Sequence, residues 1–319
     1  MIMGRLPLIL VAIAAMGAPA LAEPLVIASW NVEHLRDQNG EGPVPRQDAD
    51  YTRLAGYADA LGANVIALQE IENEPAARRV FAASDYQLFV EGRNNPQRTG
   101  FAVKNGLAAV NNGDFAALAL DGSVRRGVDI TVTVAGQPIR LLSVHRKSGC
   151  FDVPLSTPGN DCGKLLQQVP VLEGWIDQRT QEGVPFAVLG DWNRRFDAEL
   201  GQEFWREIDD GLPAPLDLLR VTEGVEAHCP SAPGFNEFID HIVLDEQAAR
   251  FVVEGSFSQL QYRPEDAAFF DRLSDHCPIR VTLEVAEDEE QPGREKEIRR
   301  LLGEILQRVD RIGQLLGED

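Results

Sequence analysis

The sequence predicts an α/β protein of two packed sheets, mixed but mostly antiparallel, with helices on their outer faces. Three observations predict it. Short β-rich apolar runs recur from residue 25 to residue 284, separated by polar turns rich in Gly, Pro and Asn. Helical periodicities interrupt those runs only at intervals, which favours layered sheets with outer helices. At 128–144 two runs flank Gly136-Gln137 and read as a hairpin. A doubly wound α/β sheet is the runner-up, because residues 51–70 follow helix with strand in its manner.

Taken in order, Leu25–Trp30 is a strand that runs into Asn31-Val32-Glu33, and residues 36–50 are a loop. Tyr51, Leu54, Ala58 and Leu61 share a helical face, with Asp48 or Asp50 as cap and Gly62 as stop. Asn64–Leu68 is a strand that delivers Gln69-Glu70 at its end. Residues 75–83 read as helix; Tyr86–Val90, Gly100–Val103 and Leu107–Val110 read as short strands. The hairpin strands are Val128–Val134 and Pro138–Val144, the second ending at His145-Arg146-Lys147. Gly163–Gln181 is helical, with Pro170 and Gly174 expected to kink it or move its start. Residues 185–190 form an apolar strand ended by Gly190, and Asp191-Trp192-Asn193-Arg194-Arg195 follow. Glu199–Ile208 is a helix, and residues 212–233 are mostly loop. Phe238–Leu244 and Phe251–Phe257 read as strands, and Pro278–Glu284 is the last, after Ser274-Asp275-His276.

With 319 residues and 44% hydrophobic content, the chain can bury a large core. Arg5, the apolar run 6–15 and Ala20-Leu21-Ala22 have the layout of a secretory signal peptide spanning residues 1–22. Export to periplasm or medium is therefore expected, and with it disulfides among the four cysteines. Cys150 with Cys162 would staple one loop and Cys229 with Cys277 another, but sequence alone does not choose among the three pairings. No CxxC or paired Cys/His spacing suggests zinc. The formal charge is −20, and losing Arg5 with the leader makes it −21. Such a surface repels polyanions at long range without forbidding them, since a local basic patch or bound divalent cations offset the field.

A catalytic domain at 23–285 would be followed by an acidic linker, 286–294, and a helix, 295–319. In that helix Ile298, Leu302, Ile305, Val309, Ile312 and Leu316 recur at heptad spacing. The seam predicts a coiled-coil-like helix and a homo-oligomer, with docking on the body or contact with a membrane surface as the alternatives.

The chemistry gathers where strands end. If the chain stays extended after Gly190, Asp191 and Asn193 share a face and offer an acceptor and a donor to one group. Other segment ends supply Asn31 and Glu33, Glu70, His145, Asp240, and Asp275 with His276. Each alone has an ordinary explanation as a cap, a strand-end residue or an Asx turn. Together they are what metal-assisted phosphoester hydrolysis needs.

The ordered set Ser29-Trp30-Asn31-Val32-Glu33, Leu68-Gln69-Glu70, Ser143-Val144-His145, Gly190-Asp191-Trp192-Asn193, Ile239-Asp240-His241-Ile242 and Ser274-Asp275-His276-Cys277-Pro278 resembles the endonuclease/exonuclease/phosphatase family. The resemblance spans residues 25–285 and implies a four-layered α/β sandwich with its site at one edge of the two sheets. It implies an Mg²⁺-dependent phosphodiesterase, with Mn²⁺ as a substitute; the two histidines, the basic pairs near the site and the expected disulfides favour a nuclease over a lipid-headgroup (sphingomyelinase-like) or small-phosphoester hydrolase. Glu70 would be the principal metal ligand, with Asn31, Asp275 and Glu33 close to the ion. Asp191 would orient or deprotonate the attacking water and Asn193 would donate to the phosphoryl oxygen. His276, steadied by Asp240, would contact the scissile phosphate. His145 resembles the second histidine of the secreted deoxyribonucleases, an acid for the leaving oxygen. Arg146, Lys147, Arg194 and Arg195, and more weakly Arg98, would hold phosphates of a longer substrate. Trp192 is expected between the sheets, and His34 and His241 in packing roles.

Overall fold

The computed structural model describes residues 23–214 and 216–285. The expected signal peptide, acidic linker and heptad helix, with the self-association tied to that helix, lie outside the described residues.

The first half of the chain runs β1 (Glu23–Leu35), α1 (Asp48–Leu61), β2 (Val65–Ile71), α2 (Glu74–Arg78), β3 (Tyr86–Val90), β4 (Arg98–Lys104) and β5 (Ala108–Phe115). It continues with β6 (Gly127–Val134), β7 (Gln137–His145), α3 (Asn160–Glu182), β8 (Phe186–Asp191) and α4 (Gln202–Ile208). The last part comprises β9 (Leu219–Arg220), β10 (Asp240–Leu244), α5 (Glu246–Ala249), β11 (Ser258–Gln259) and β12 (Ile279–Val285). Two six-stranded sheets result, in the orders β11-β12-β1-β2-β4-β3 and β5-β6-β7-β8-β10-β9.

Each sheet contains one parallel pair, β1 with β2 and β7 with β8; the other pairings are antiparallel. A parallel pair needs a crossover, and α1 and α3 supply the two. The strand–helix–strand stretch around residues 51–70 is therefore one embedded unit, and the doubly wound alternative does not hold.

Apolar residues separate into three cores that define four layers. Leu25, Ile27, Ala67 and Phe101 of the first sheet meet Ile130, Leu141, Leu189 and Ile242 of the second in the middle. Alternate residues of the same strands face outward. Ala28, Trp30, Ile66 and Leu68 pack on α1 and α2, while Leu142, Val144, Phe186 and Val188 pack on α3 and α4.

Four local readings change. Residues 251–257 skirt β12 as a turn, with one isolated bridge between Val252 and Leu283, because Gly255 takes φ +72° and turns the chain. Trp192 lies in the outer core against Phe196 and Phe204, not between the sheets, and its indole donates to the His241 carbonyl at 3.2 Å. The 75–83 helix is one short segment, Glu74–Arg78, with Asn73 accepting from the Ala76 amide as its cap. Finally, α3 continues through Pro170, which is exposed, so water can satisfy the carbonyl that it leaves without a partner.

The disulfides join Cys150 to Cys162 and Cys229 to Cys277, with Cα–Cα separations of 5.0 and 5.4 Å. The first ties the β7–α3 loop to the start of α3. The second ties the β9–β10 loop to the residue after His276. Among the described residues no helix is long and apolar enough to cross a membrane.

Candidate active site

Sheet register builds half of the site. His145 pairs with Asp191, and Asp191 with Asp240, so β7, β8 and β10 end in one row on one face. β7 and β8 approach so closely that a Cβ on Gly190 (φ +153°) would stand 2.0 Å from the Val144 carbonyl oxygen. The first sheet supplies the rest: Asn31 pairs with Gln69, and Glu70 follows. Buried Ser29, Gln69 and Ser143 cross the gap between the sheets beneath, in hydrogen bonds of 3.4 Å.

Backbone strain concentrates here. Of six non-glycine residues with positive φ among those described, Glu33, His34, Glu70 and Asn193 stand in or beside the site. Such conformations cost about 1–3 kcal/mol each and persist where the surroundings over-determine them. At Glu33 and His34 the cause is visible: β1 shifts register between Asn31 and Leu35.

Asn31 links the two halves, its amide donating to Glu70 Oε1 (3.3 Å) and Asp191 Oδ2 (3.1 Å). Glu70 Oε2 accepts from the His34 amide (3.2 Å) and from Gln97 Nε2 (3.0 Å), and His34 Nε2 lies 3.4 Å away. Glu33 accepts from the Asp275 amide at 2.9 Å, and its own amide donates to Asn31 Oδ1 at 3.0 Å. His145 Nε2 is 3.4 Å from Asp191 Oδ2. His276 Nδ1 meets Asp240 Oδ2 at 2.6 Å, and its Nε2 faces Asp191 Oδ2 at 3.9 Å. Asn193 turns back: its backbone N–H donates to Asp191 Oδ1 and its side chain to the Arg146 carbonyl. The extended geometry expected after Gly190 is thus an Asx turn, and one amide hydrogen of Asn193 is already engaged.

Burial and charge set the proton affinities. Burial pushes Asp191 up, Asp240 adds to this, and His276 opposes it. Burial works against a charged His276, but Asp240 overrides it through charge and hydrogen bond, so the imidazolium is favoured well above the ordinary range. His145 is held well below that range by burial and by Arg125. Glu33 is raised by burial and by Asp275.

The cleft over these groups has a volume of about 360 Å³ and admits Glu70, His145, Asp191, Asn193, Asp240, Asp275 and His276 to its walls. Two sites for a cation can be weighed. Asp191, Asp240 and His276 each bring one ligand atom within 4.8 Å of the others. There, however, the His276–Asp240 hydrogen bond already uses one donor pair. Glu70, with Asn31, Glu33 and Asp275, is the side richer in oxygen donors, which a hard divalent cation prefers.

The basic residues divide differently from the sequence expectation. Arg194 is fully buried, its guanidinium donating to the carbonyls of Cys150 and Val153. Arg146 is fully buried beneath the site, over the Phe204 ring. Lys147 pairs with Asp161 at 2.7 Å, and Arg98 donates to the Asn95 carbonyl. None of these four lines the cleft, whereas Arg195 does. Arg125 was missed: it lines the cleft, and Asp191 and Glu70 offset the burial that lowers its pKa. Its signal in sequence is a basic pair, Arg125-Arg126, just before an alternating strand. Gln97 had none beyond its turn. His241 holds Thr222 and the Arg194 carbonyl in an aromatic setting, while His34 touches Glu70 and belongs to the site.

Two face-packed mixed sheets with a carboxylate-, amide- and histidine-lined cleft at one edge define a phosphoric ester hydrolase of the deoxyribonuclease I-like type. The chain belongs to the endonuclease/exonuclease/phosphatase family, whose model matches residues 28–276. Members of that family are generally dependent on divalent metal, and Asp191, Asp240 and His276 form a possible acidic and histidine site for one. Solved structures share the fold. A humanized D. rerio TDP2 is 20% identical, with a TM-score of 0.55, over 81% of this chain and 98% of that one. A truncated Caenorhabditis elegans TDP2 is 16% identical, with a TM-score of 0.57, over 82% and 98%. An endonuclease/exonuclease/phosphatase from Bacteroides vulgatus is 15% identical, with a TM-score of 0.56, over 82% and 99%. Among curated proteins nothing matches.

Proposed function

We propose that the chain is an exported, Mg²⁺-dependent nuclease that hydrolyses nucleic-acid phosphodiesters by attack of water. The observation that carries this is the placement of two groups 3.9 Å apart in one cleft: a buried carboxylate, Asp191, and a histidine, His276, whose protonated form Asp240 favours. That is a base beside a cation, aimed into one cleft. Asp191 takes the proton from the water whose oxygen forms the new P–O bond. His276 donates to the phosphoryl oxygen that gains charge and can protonate the leaving oxygen as its bond to phosphorus breaks. His145, kept neutral, is suited to orienting Asp191 rather than to acting as the acid. Arg125 and the free amide hydrogen of Asn193 face the remaining charge. Glu70, Asn31, Glu33 and Asp275 would hold the Mg²⁺, which, when bound, polarises the phosphoryl group and stabilises the leaving alkoxide.

Export is supported by the leader-like first 22 residues and by the two disulfides. Nucleic acid is preferred as substrate because the site presents two histidines with Arg125 and Arg195, and because one TDP2 of the same fold is described with a single-strand DNA product. The test is direct. The mature protein is incubated with Mg²⁺ or Mn²⁺ against plasmid DNA, single-stranded DNA, RNA, sphingomyelin vesicles and a small phosphomonoester, each with an EDTA control. Cleavage of a nucleic acid that EDTA abolishes is expected. Turnover of lipid alone would refute the nuclease reading, and full activity in EDTA the metal-dependent one.

A further inference from the structure

The cleft wall is not wholly ionic. Besides the carboxylates and histidines it includes Phe151, Arg195 and Phe235. The Arg195 guanidinium lies 5.8 Å from the centroids of both rings. It is held there by Asp152 at 2.5 Å and Glu237 at 3.6 Å, one from each flanking loop. Its backbone N–H donates to the Phe151 carbonyl at 2.8 Å. Both loops are covalently pinned. Phe151 follows Cys150, which is bonded to Cys162, and Phe235 lies in the loop tied by Cys229 to Cys277, the neighbour of His276. The wall is thus positioned relative to the catalytic groups by two disulfides and one bridging arginine.

Phe235 is 60% exposed, so its ring serves little packing in the fold. An exposed aromatic ring beside a guanidinium, at the mouth of an ionic site, suits a flat π-surface that arrives with the phosphate. A cleft of about 360 Å³ accommodates a small ligand or one nucleotide unit, not the width of a duplex. A base that is paired and stacked cannot offer its face.

We propose that Phe235, Phe151 and Arg195 form a stacking subsite for one unpaired nucleobase next to the scissile phosphate, and that this subsite makes the enzyme selective for single strands. The proposal rests on the nuclease reading above. The base lies against Phe235 and Phe151 while Arg195 braces the rings and adds charge toward the adjoining phosphate. Selectivity then comes from ring contact rather than from base-edge hydrogen bonds, so it tolerates any base.

The test compares three substrates of equal length with the full mature chain and Mg²⁺. They are oligothymidylate, an oligomer of abasic tetrahydrofuran residues, and oligothymidylate annealed to oligoadenylate. The wild type should prefer the single-stranded, base-bearing oligomer by about 10-fold in kcat/KM over each of the others, within the range that base–aromatic stacking supports. Phe235→Ala should bring the ratio close to one, mainly through KM, and Phe235→Tyr should restore it. A thermal melt of each variant checks folding. Equal wild-type rates on oligothymidylate and the abasic oligomer, or a preference that Phe235→Ala retains, overturns the subsite while the nuclease reading stands. Cleavage of none of the three overturns the subsite, and failure on RNA as well overturns the nuclease reading with it.

Discussion

Asp191 sits at the end of β8 with Asn31 and the Asn193 backbone N–H on its oxygens and His145 and His276 facing it. Asp191→Asn keeps the shape and removes both the base and the charge. It should lower kcat by about 10²- to 10⁴-fold, the usual range for losing general acid–base catalysis, with a melting temperature no lower than that of the wild type. A variant that keeps a tenth of the activity in a steady-state assay would remove Asp191 from the reaction. His241 makes a separate prediction, about stability. Burial pulls its pKa down to about 3, with the Arg194 carbonyl on Nε2 and Thr222 on Nδ1. The folded state therefore keeps a neutral ring, whereas the unfolded chain takes a proton below its ordinary pKa of about 6.5. The sign follows: this contribution is intact above pH 6.5 and is lost as pH falls toward 3, at up to roughly 1.4 kcal/mol per pH unit. His241→Gln should be less stable than the wild type at pH 7 yet lose less between pH 7 and pH 4. Urea midpoints at the two pH values measure the difference, and parallel losses would show that His241 is not the group responsible.

Among the elements, the β7–β8 contact has the least tolerance. A side chain on Gly190 meets the Val144 backbone, which cannot rotate away, and the φ of +153° disfavours any L residue. Gly190→Ala should cost more than about 2 kcal/mol in urea unfolding and should part Asp191 from His145, so activity falls with stability. An alanine variant with the wild-type urea midpoint would mean that the two strands do not approach as described. This row of strand ends was legible because period-2 burial and an abrupt polar ending survive in sequence, as at Val188-Leu189-Gly190-Asp191. The arginines beyond those strand ends were not legible in the same way: Arg146 is buried over the Phe204 ring and Arg194 on the carbonyls of Cys150 and Val153, contacts that depend on how α4 and the β7–α3 loop pack. Side chains supplied by loops left no such trace. Arg125, Gln97 and Phe235 reach the cleft from segments whose position depends on sheet packing and on a disulfide between residues 48 apart. Phe251–Phe257 misled for the converse reason: its apolar run satisfies strand periodicity, yet Gly255 turns it against β12 before a ladder can form.

At the scale of the whole molecule, neither sheet holds the site alone. Asn31 and Glu70 come from the first sheet and His145, Asp191 and Asp240 from the second, so the packed middle core fixes the distance across the site. The same molecule carries a formal charge of −20, while its substrate in the nuclease reading is a polyanion. The field of the body and the local attraction of Arg125 and Arg195 therefore oppose one another, over different ranges. Body charge acts at long range, and its reach shrinks from about 30 Å at 0.01 M salt to about 10 Å at 0.1 M. The two arginines act at contact, one half-buried in the cleft wall and the other anchored by Asp152 and Glu237, so salt weakens them less. With Mg²⁺ saturating and fixed, kcat/KM on a single-stranded oligonucleotide should rise between those two salt concentrations, because the repelled encounter is screened before the local contacts are. A nuclease that reads its substrate through a long basic stripe shows the reverse, a steep fall with salt. Stopped-time assays across the range, with kcat measured separately, distinguish the two. A monotonic fall in kcat/KM would mean that local basic contacts govern encounter despite the acidic body.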